Sequence, residues 1–103
     1  MRSGVGSGYP SWRVRMNAIV VRVTIKDREK AEGMLKEQIV PNISQSPGFV
    51  AGYWTNPGGD KGAAMIVFES EEAATNVAET IRQAPNEHVT FDSIEIAEVV
   101  AHA

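Results

Sequence analysis

The chain has 103 residues, 43% of them hydrophobic and 22% charged, which fits one ordinary globular domain and excludes disordered and fibrous classes. It contains no cysteine, so disulfides, thiolate catalysis and cysteine-based zinc sites are excluded together. Net charge is −3, but residues 1–15 hold Arg2, Arg13 and Arg15 and no acid, which leaves seven basic against thirteen acidic side chains in the body, a poor match for a phosphate backbone.

Residues 1–15 (MRSGVGSGYPSWRVR) are rich in Gly and Ser and keep no period, so they read as a flexible N-terminal extension, with Met16 a candidate start of the domain proper at 16–103. Asn17–Lys26 is the first strand: Ile19, Val21, Val23 and Ile25 give it one wholly apolar, β-branched face. Asp27 is an N-cap, and a helix is expected from Arg28 to about Gln45 with Ala31, Met34, Leu35 and Gln38/Ile39 as its stripe. Pro41 is expected to kink or end that helix, because it lacks a donor and its ring collides with the preceding turn. Gly48–Asn56 and Ala63–Glu69 read as strands joined by a hairpin turn over Asn56–Gly62. Ser70 caps a second helix carrying Ala73, Ala74, Val77, Ala78 and Ile81, and Pro85 stops it. A last strand runs from Val89 to about Ala101, with a bulge expected near Asp92-Ser93, where the alternation slips.

The order β-α-β-β-α-β is the ferredoxin-like arrangement, an α+β fold with two helices on one face of a four-stranded antiparallel sheet. The opposite face carries, depending on strand phase, Val20, Val50 or Tyr53, Trp54 or Phe49, Met65 and Val67, which is too apolar to leave wet. A second copy, sheet against sheet, would cover it, so the expected partner is the chain itself. No apolar run approaches the ~20 residues needed to cross a bilayer, and no apolar stretch follows Arg2 as it would in a secretory signal. A cytoplasmic protein with neither a membrane nor a nucleic-acid partner is therefore expected.

Pro47–Trp54 (PGFVAGYW), the Gly-rich hairpin and Met65–Asn76 (MIVFESEEAATN) resemble the antibiotic-biosynthesis-monooxygenase-like family of the dimeric α/β-barrel superfamily. The resemblance spans about Met16–Ala101 and implies that the ferredoxin-like unit completes a dimeric α/β barrel. It further implies cofactor-free oxidation of polyketide anthrones, quinol oxidation or oxygen-dependent haem breakdown as the activities to consider. The haem-degrading branch uses an Asn on strand one and a Trp and a His associated with helix two. By spacing from Phe68-Glu69-Ser70, the Asn and Trp positions fall near Val21 and Val77, and helix two contains no His, so haem is not expected. The polar site of the anthrone oxidases cannot be placed residue by residue.

Candidate chemistry is sparse. His88 lies in a loop and His102 next to the C-terminus, neither in a setting that fixes a tautomer, and no metal-binding spacing is present. Arg22 interrupts the second face of strand one and reads either as an ion pair with Glu95 or Glu98 or as an anchor for an anionic group. The segment NPGGDKG joins two strands and lacks P-loop spacing, so it is a turn, and no GxSxG is present. Trp54 with Tyr53 would form a wall for a flat ligand, and Met34, Phe68, Val77 and Ile81 would line a cavity between sheet and helices. The candidate ligand-binding residues are thus Met34, Trp54, Phe68, Val77 and Ile81. No catalytic residue, metal or cofactor is assigned. The expected functions are cofactor-independent oxidation of a small aromatic or quinone-like molecule or, alternatively, non-catalytic small-ligand binding by a stress-associated homodimer.

Overall fold

The computed structural model describes residues 15–84 and 86–103. The expectation of a flexible extension therefore lies, apart from Arg15, outside the described residues, as does the expected stop at Pro85. Strand β1 (Asn17–Ile25) buries Ile19 and Val21 on its apolar face, as its alternation requires. Helix α1 (Arg28–Met34) starts at Asp27, whose carboxylate accepts the Lys30 N–H at 3.1 Å.

The helix does not end at Pro41. It widens into one π-helical turn at Leu35–Ile39 and continues as α2 (Val40–Ser44), with the Val40 N–H donating to the Leu35 carbonyl five residues back. A proline inside an α-helix collides with the carbonyl four residues before it; a widened turn ahead of the ring relieves that clash. The rod then carries its apolar face on to Ile43, which is buried.

Strands β2 (Phe49–Gly58) and β3 (Lys61–Phe68) meet in a tighter hairpin than the sequence suggests, with Gly58 opposite Lys61. Gly58 and Gly59, at φ of +113° and +60°, take the backbone conformations that side-chain-bearing residues avoid. Helix α3 (Glu71–Gln83) is capped by Ser70, which accepts the Ala73 N–H at 3.1 Å, and buries Ala74, Val77 and Ala78. Strand β4 (Val89–Glu98) contains the expected bulge: Arg22 faces Ser93 and Val23 faces Phe91, so Asp92 is the extra residue.

The sheet is antiparallel with order β2-β3-β1-β4. This agrees with the ferredoxin-like βαββαβ arrangement but corrects the expectation of an α/β barrel, because the sheet is open. Its edges are β2 and β4 at opposite ends, and they do not pair. Four strands are too few to curl round a filled interior, since barrel closure needs about eight at the usual tilt and stagger.

The pairing also settles strand phase. Trp54 faces Ala64 and Phe49 faces Phe68, on the helix side; Tyr53 faces Met65, on the outer side with Val20. The core lies between sheet and α3, where Phe68, Ile19 and Ile66 are fully buried and the Phe49 and Phe68 rings meet edge to face at 6.0 Å.

Candidate functional site

The two helical layers meet the sheet unequally. Helix α3 packs directly on β1, β3 and β4, and α2 packs on β2, whereas α1 rests mainly on the turn that follows it. No residue of α1 or of the π-helical turn is buried. The apolar stripe read from the sequence is present, but Ala31, Met34, Leu35 and Ile39 are only half covered. Between that stripe and the sheet lies a cavity of about 540 Å³, open to solvent along one side.

Each wall has a local cause. The floor is the inner face of β1, with Val21, Val23 and Ile25 in succession, beside the small Gly62 and Ala64 of β3. A Cβ on Gly62 would stand 2.8 Å from the Val23 side chain, so glycine is what lets β1's branched residues lean across. One side is Trp54, whose six-membered ring lies over Gly52: a Cβ there would approach two ring carbons to 2.8 Å. The far end is closed by Ile81 of α3 with Val89 and Phe91 of β4. The lining is predominantly apolar with amide side chains, including Gln38, Asn42, Asn56 and Asn86, towards the outside.

Of the residues singled out from sequence, the structure brings Met34, Trp54 and Ile81 to this cavity. Phe68 and Val77 are instead packed in the core cluster with Ile19 and Ile66. Tyr53 lies on the outer sheet face and is 66% exposed, so it forms no wall with Trp54. Arg22 is exposed on that outer face opposite Ser93 and Ala63, and among the described residues it makes no ion pair; Glu98 is bound by Arg15. His88 stands outside the cavity lining, with its backbone N–H on the Asn86 side chain at 2.9 Å and its imidazole 3.8 Å from Glu87. Among the described residues no group of three or more His, Asp or Glu side chains is placed to hold a metal.

Sequence reasoning passed over Arg28. Its guanidinium donates to the carbonyls of Gly59 and Lys61 at 2.9 and 2.8 Å and lies 3.4 Å from Glu32. It thereby ties the hairpin tip to the start of α1 at the cavity mouth. A signal existed: a cation immediately after an N-cap opposes the helix dipole and asks for a compensating partner.

No protein-family model matches the chain, and no curated protein matches it. Solved structures do. MupZ from Pseudomonas fluorescens superposes with a TM-score of 0.64 at 18% identity, covering 89% of this chain and 73% of that one. NE2512, a protein of unknown function from Nitrosomonas europaea, gives 0.58 at 18% identity over 87% of this chain and 94% of its own. A monooxygenase from the gene ActVA-Orf6 of Streptomyces coelicolor, solved with nanaomycin D, aligns at 0.49 and 16% identity over 88% of this chain and 90% of that one, and the comparison rests on the first two. At such identities the likeness is one of fold, and fold alone does not carry a reaction. Among the described residues no helix is long and apolar enough to cross a membrane.

Proposed function

We propose that this protein is a cytoplasmic homodimer that takes up a small, flat, largely apolar molecule, aromatic or quinone-like, in the cavity beneath α1. One observation carries the reading: an amphipathic helix whose apolar stripe is left half-covered over unfilled space. Native interiors are close-packed, and a roof and floor of matching apolarity with nothing between them gain most from an occupant. A volume of about 540 Å³ falls within the roughly 300–1,000 Å³ typical of small-molecule sites. Trp54 offers the flat surface, and the outward amides offer orientation.

Ala64→Phe, which projects a ring into the space opposite Trp54, tests this. Affinity for a bicyclic aromatic probe is expected to fall by roughly ten-fold or more, a loss of about 1.4 kcal/mol for each factor of ten. Unchanged affinity would place binding elsewhere.

Cofactor-independent oxidation of the same molecule is the second reading, favoured by the resemblance of PGFVAGYW and MIVFESEEAATN to the antibiotic-biosynthesis-monooxygenase-like family. In that chemistry the pocket excludes water while the substrate's own carbanion or radical meets oxygen. Against it stands the lining itself, which holds no imidazole and one carboxylate, Glu32, already paired with Arg28. Oxygen uptake with an anthrone or a quinol separates the two: catalysed uptake that Ala64→Phe abolishes establishes oxidation, and binding without uptake establishes the binding role alone.

A further inference from the structure

Charge at the cavity mouth runs against the charge of the body. All thirteen acidic residues lie beyond residue 15, yet only Glu32 lines the cavity; of the seven basic residues in the same span, Arg28 and Lys36 do. Glu32 and Arg28 neutralise each other at 3.4 Å, and the Arg28 Nη2 donates to the Gly59 and Lys61 carbonyls, which holds the guanidinium against the hairpin. Lys36 is left. It sits in the π-helical turn, is exposed, and among the described residues has no carboxylate within ion-pair distance. Glu32 is four residues before it, the spacing at which a Glu ordinarily pairs with a following Lys. Here Glu32 is bound to Arg28 instead, and Lys36 stands at the mouth beside Gln38 and Asn42.

We infer that the cavity is selective for molecules that join a flat apolar body to a single anionic group, a carboxylate or a phenolate, with Lys36 as the residue that reads the charge. This rests on the proposal that the cavity binds a ligand, and adds the ligand's charge class. The apolar end lies against Trp54 and the β1 floor, where no charge is present to favour or oppose an anion. The anionic end lies at the rim, still wet, where an ammonium attracts it without demanding full desolvation of either group. An ion pair in such a setting contributes modestly and is screened by salt, so the selectivity is a matter of a few-fold, greatest at low ionic strength.

The test compares 2-naphthoate with 2-naphthamide, nearly equal in shape and differing in charge, on the full chain at low salt. Binding is followed by the nuclear magnetic resonance shift of the Trp54 indole N–H. The wild-type protein is expected to prefer the carboxylate by roughly three-fold. Lys36→Gln, at an exposed position whose loss does not threaten folding, is expected to bring the ratio to about one while leaving the amide's affinity in place; Lys36→Arg keeps the preference. A wild-type ratio of one, or a preference that survives Lys36→Gln, with both compounds still shifting Trp54, overturns the charge selectivity and leaves the cavity standing. If neither compound shifts Trp54, or shifts are confined to outer-face residues such as Val20 and Met65, both proposals fall.

Discussion

Trp54 and Gly52 are two residues apart on one strand and share one problem. The indole needs to lie flat along the sheet to form a cavity wall, and any Cβ at position 52 occupies that space, 2.8 Å from two ring carbons. Gly52→Val, which elsewhere in a strand would be favourable, is therefore expected to destabilise the fold by about 1–3 kcal/mol through overpacking. It also displaces the indole. In a Trp12→Phe background, where Trp54 is the remaining tryptophan, its emission maximum shifts while the wild-type side chain's does not. Phe68 has the opposite character: it is fully buried and touches Phe49 edge to face, with no access to the cavity. Phe68→Ala is expected to cost about 3–5 kcal/mol in urea unfolding, a large part of the 5–15 kcal/mol typical of a whole domain. A loss below about 1 kcal/mol would mean the core is less tightly packed than described.

Among the elements, the β2–β3 hairpin and α1 are joined at one point. Arg28 donates from Nη2 to two hairpin carbonyls while its Nη1 faces Glu32, a use of two separate nitrogens that a single lysine ammonium cannot reproduce. Arg28→Ala is expected to speed hydrogen exchange at the hairpin tip, around Lys61 and Gly62, while amides of α3 stay protected; Arg28→Lys recovers little of that protection. Uniform acceleration across the molecule would show that Arg28 acts on global stability instead. These elements were unequally visible in the amino-acid order. The caps at Asp27 and Ser70, the branched face of β1 and the slip at Asp92 are local patterns, and each appears where its local chemistry puts it. A helix reaching to about Gln45 was legible, but the π-helical turn by which it passes Pro41 was not, because it depends on Ile43 finding a place in the core beyond the ring. The phase of β2 was hidden by a slip at Val50, between Phe49 and Ala51, within a strand that has no clean alternation. The cavity was the least legible of all. A cavity between sheet and helices was expected with Met34, Trp54 and Ile81 in its lining, but it is a separation between α1 and the sheet, and no single residue encodes a separation, so Phe68 and Val77 were wrongly placed on it and Lys36 and Arg28 were missed.

For the molecule as a whole, the outer sheet face remains to be covered. Val50 and Met65 are each 48% exposed there and Tyr53 66%, beside Val20 and Val67. We attribute this surface to pairing with a second copy. Because Met65 points away from the core, Met65→Glu is expected to leave the monomer folded and to halve the mass seen in light scattering, by setting like charges against each other across the two-fold axis. A variant that stays dimeric would assign the contact to another surface. On these two proposals, the pairing face and the binding face are opposite sides of the same four strands.

The most direct measurement is native mass spectrometry of the full chain, purified gently from a crude lysate, beside Ala64→Phe prepared identically. Two chains carrying additional small-molecule mass are expected in the wild type, and the same dimer without it in the variant. A wild-type protein that flies as a bare monomer, or extra mass that Ala64→Phe retains, would contradict that expectation.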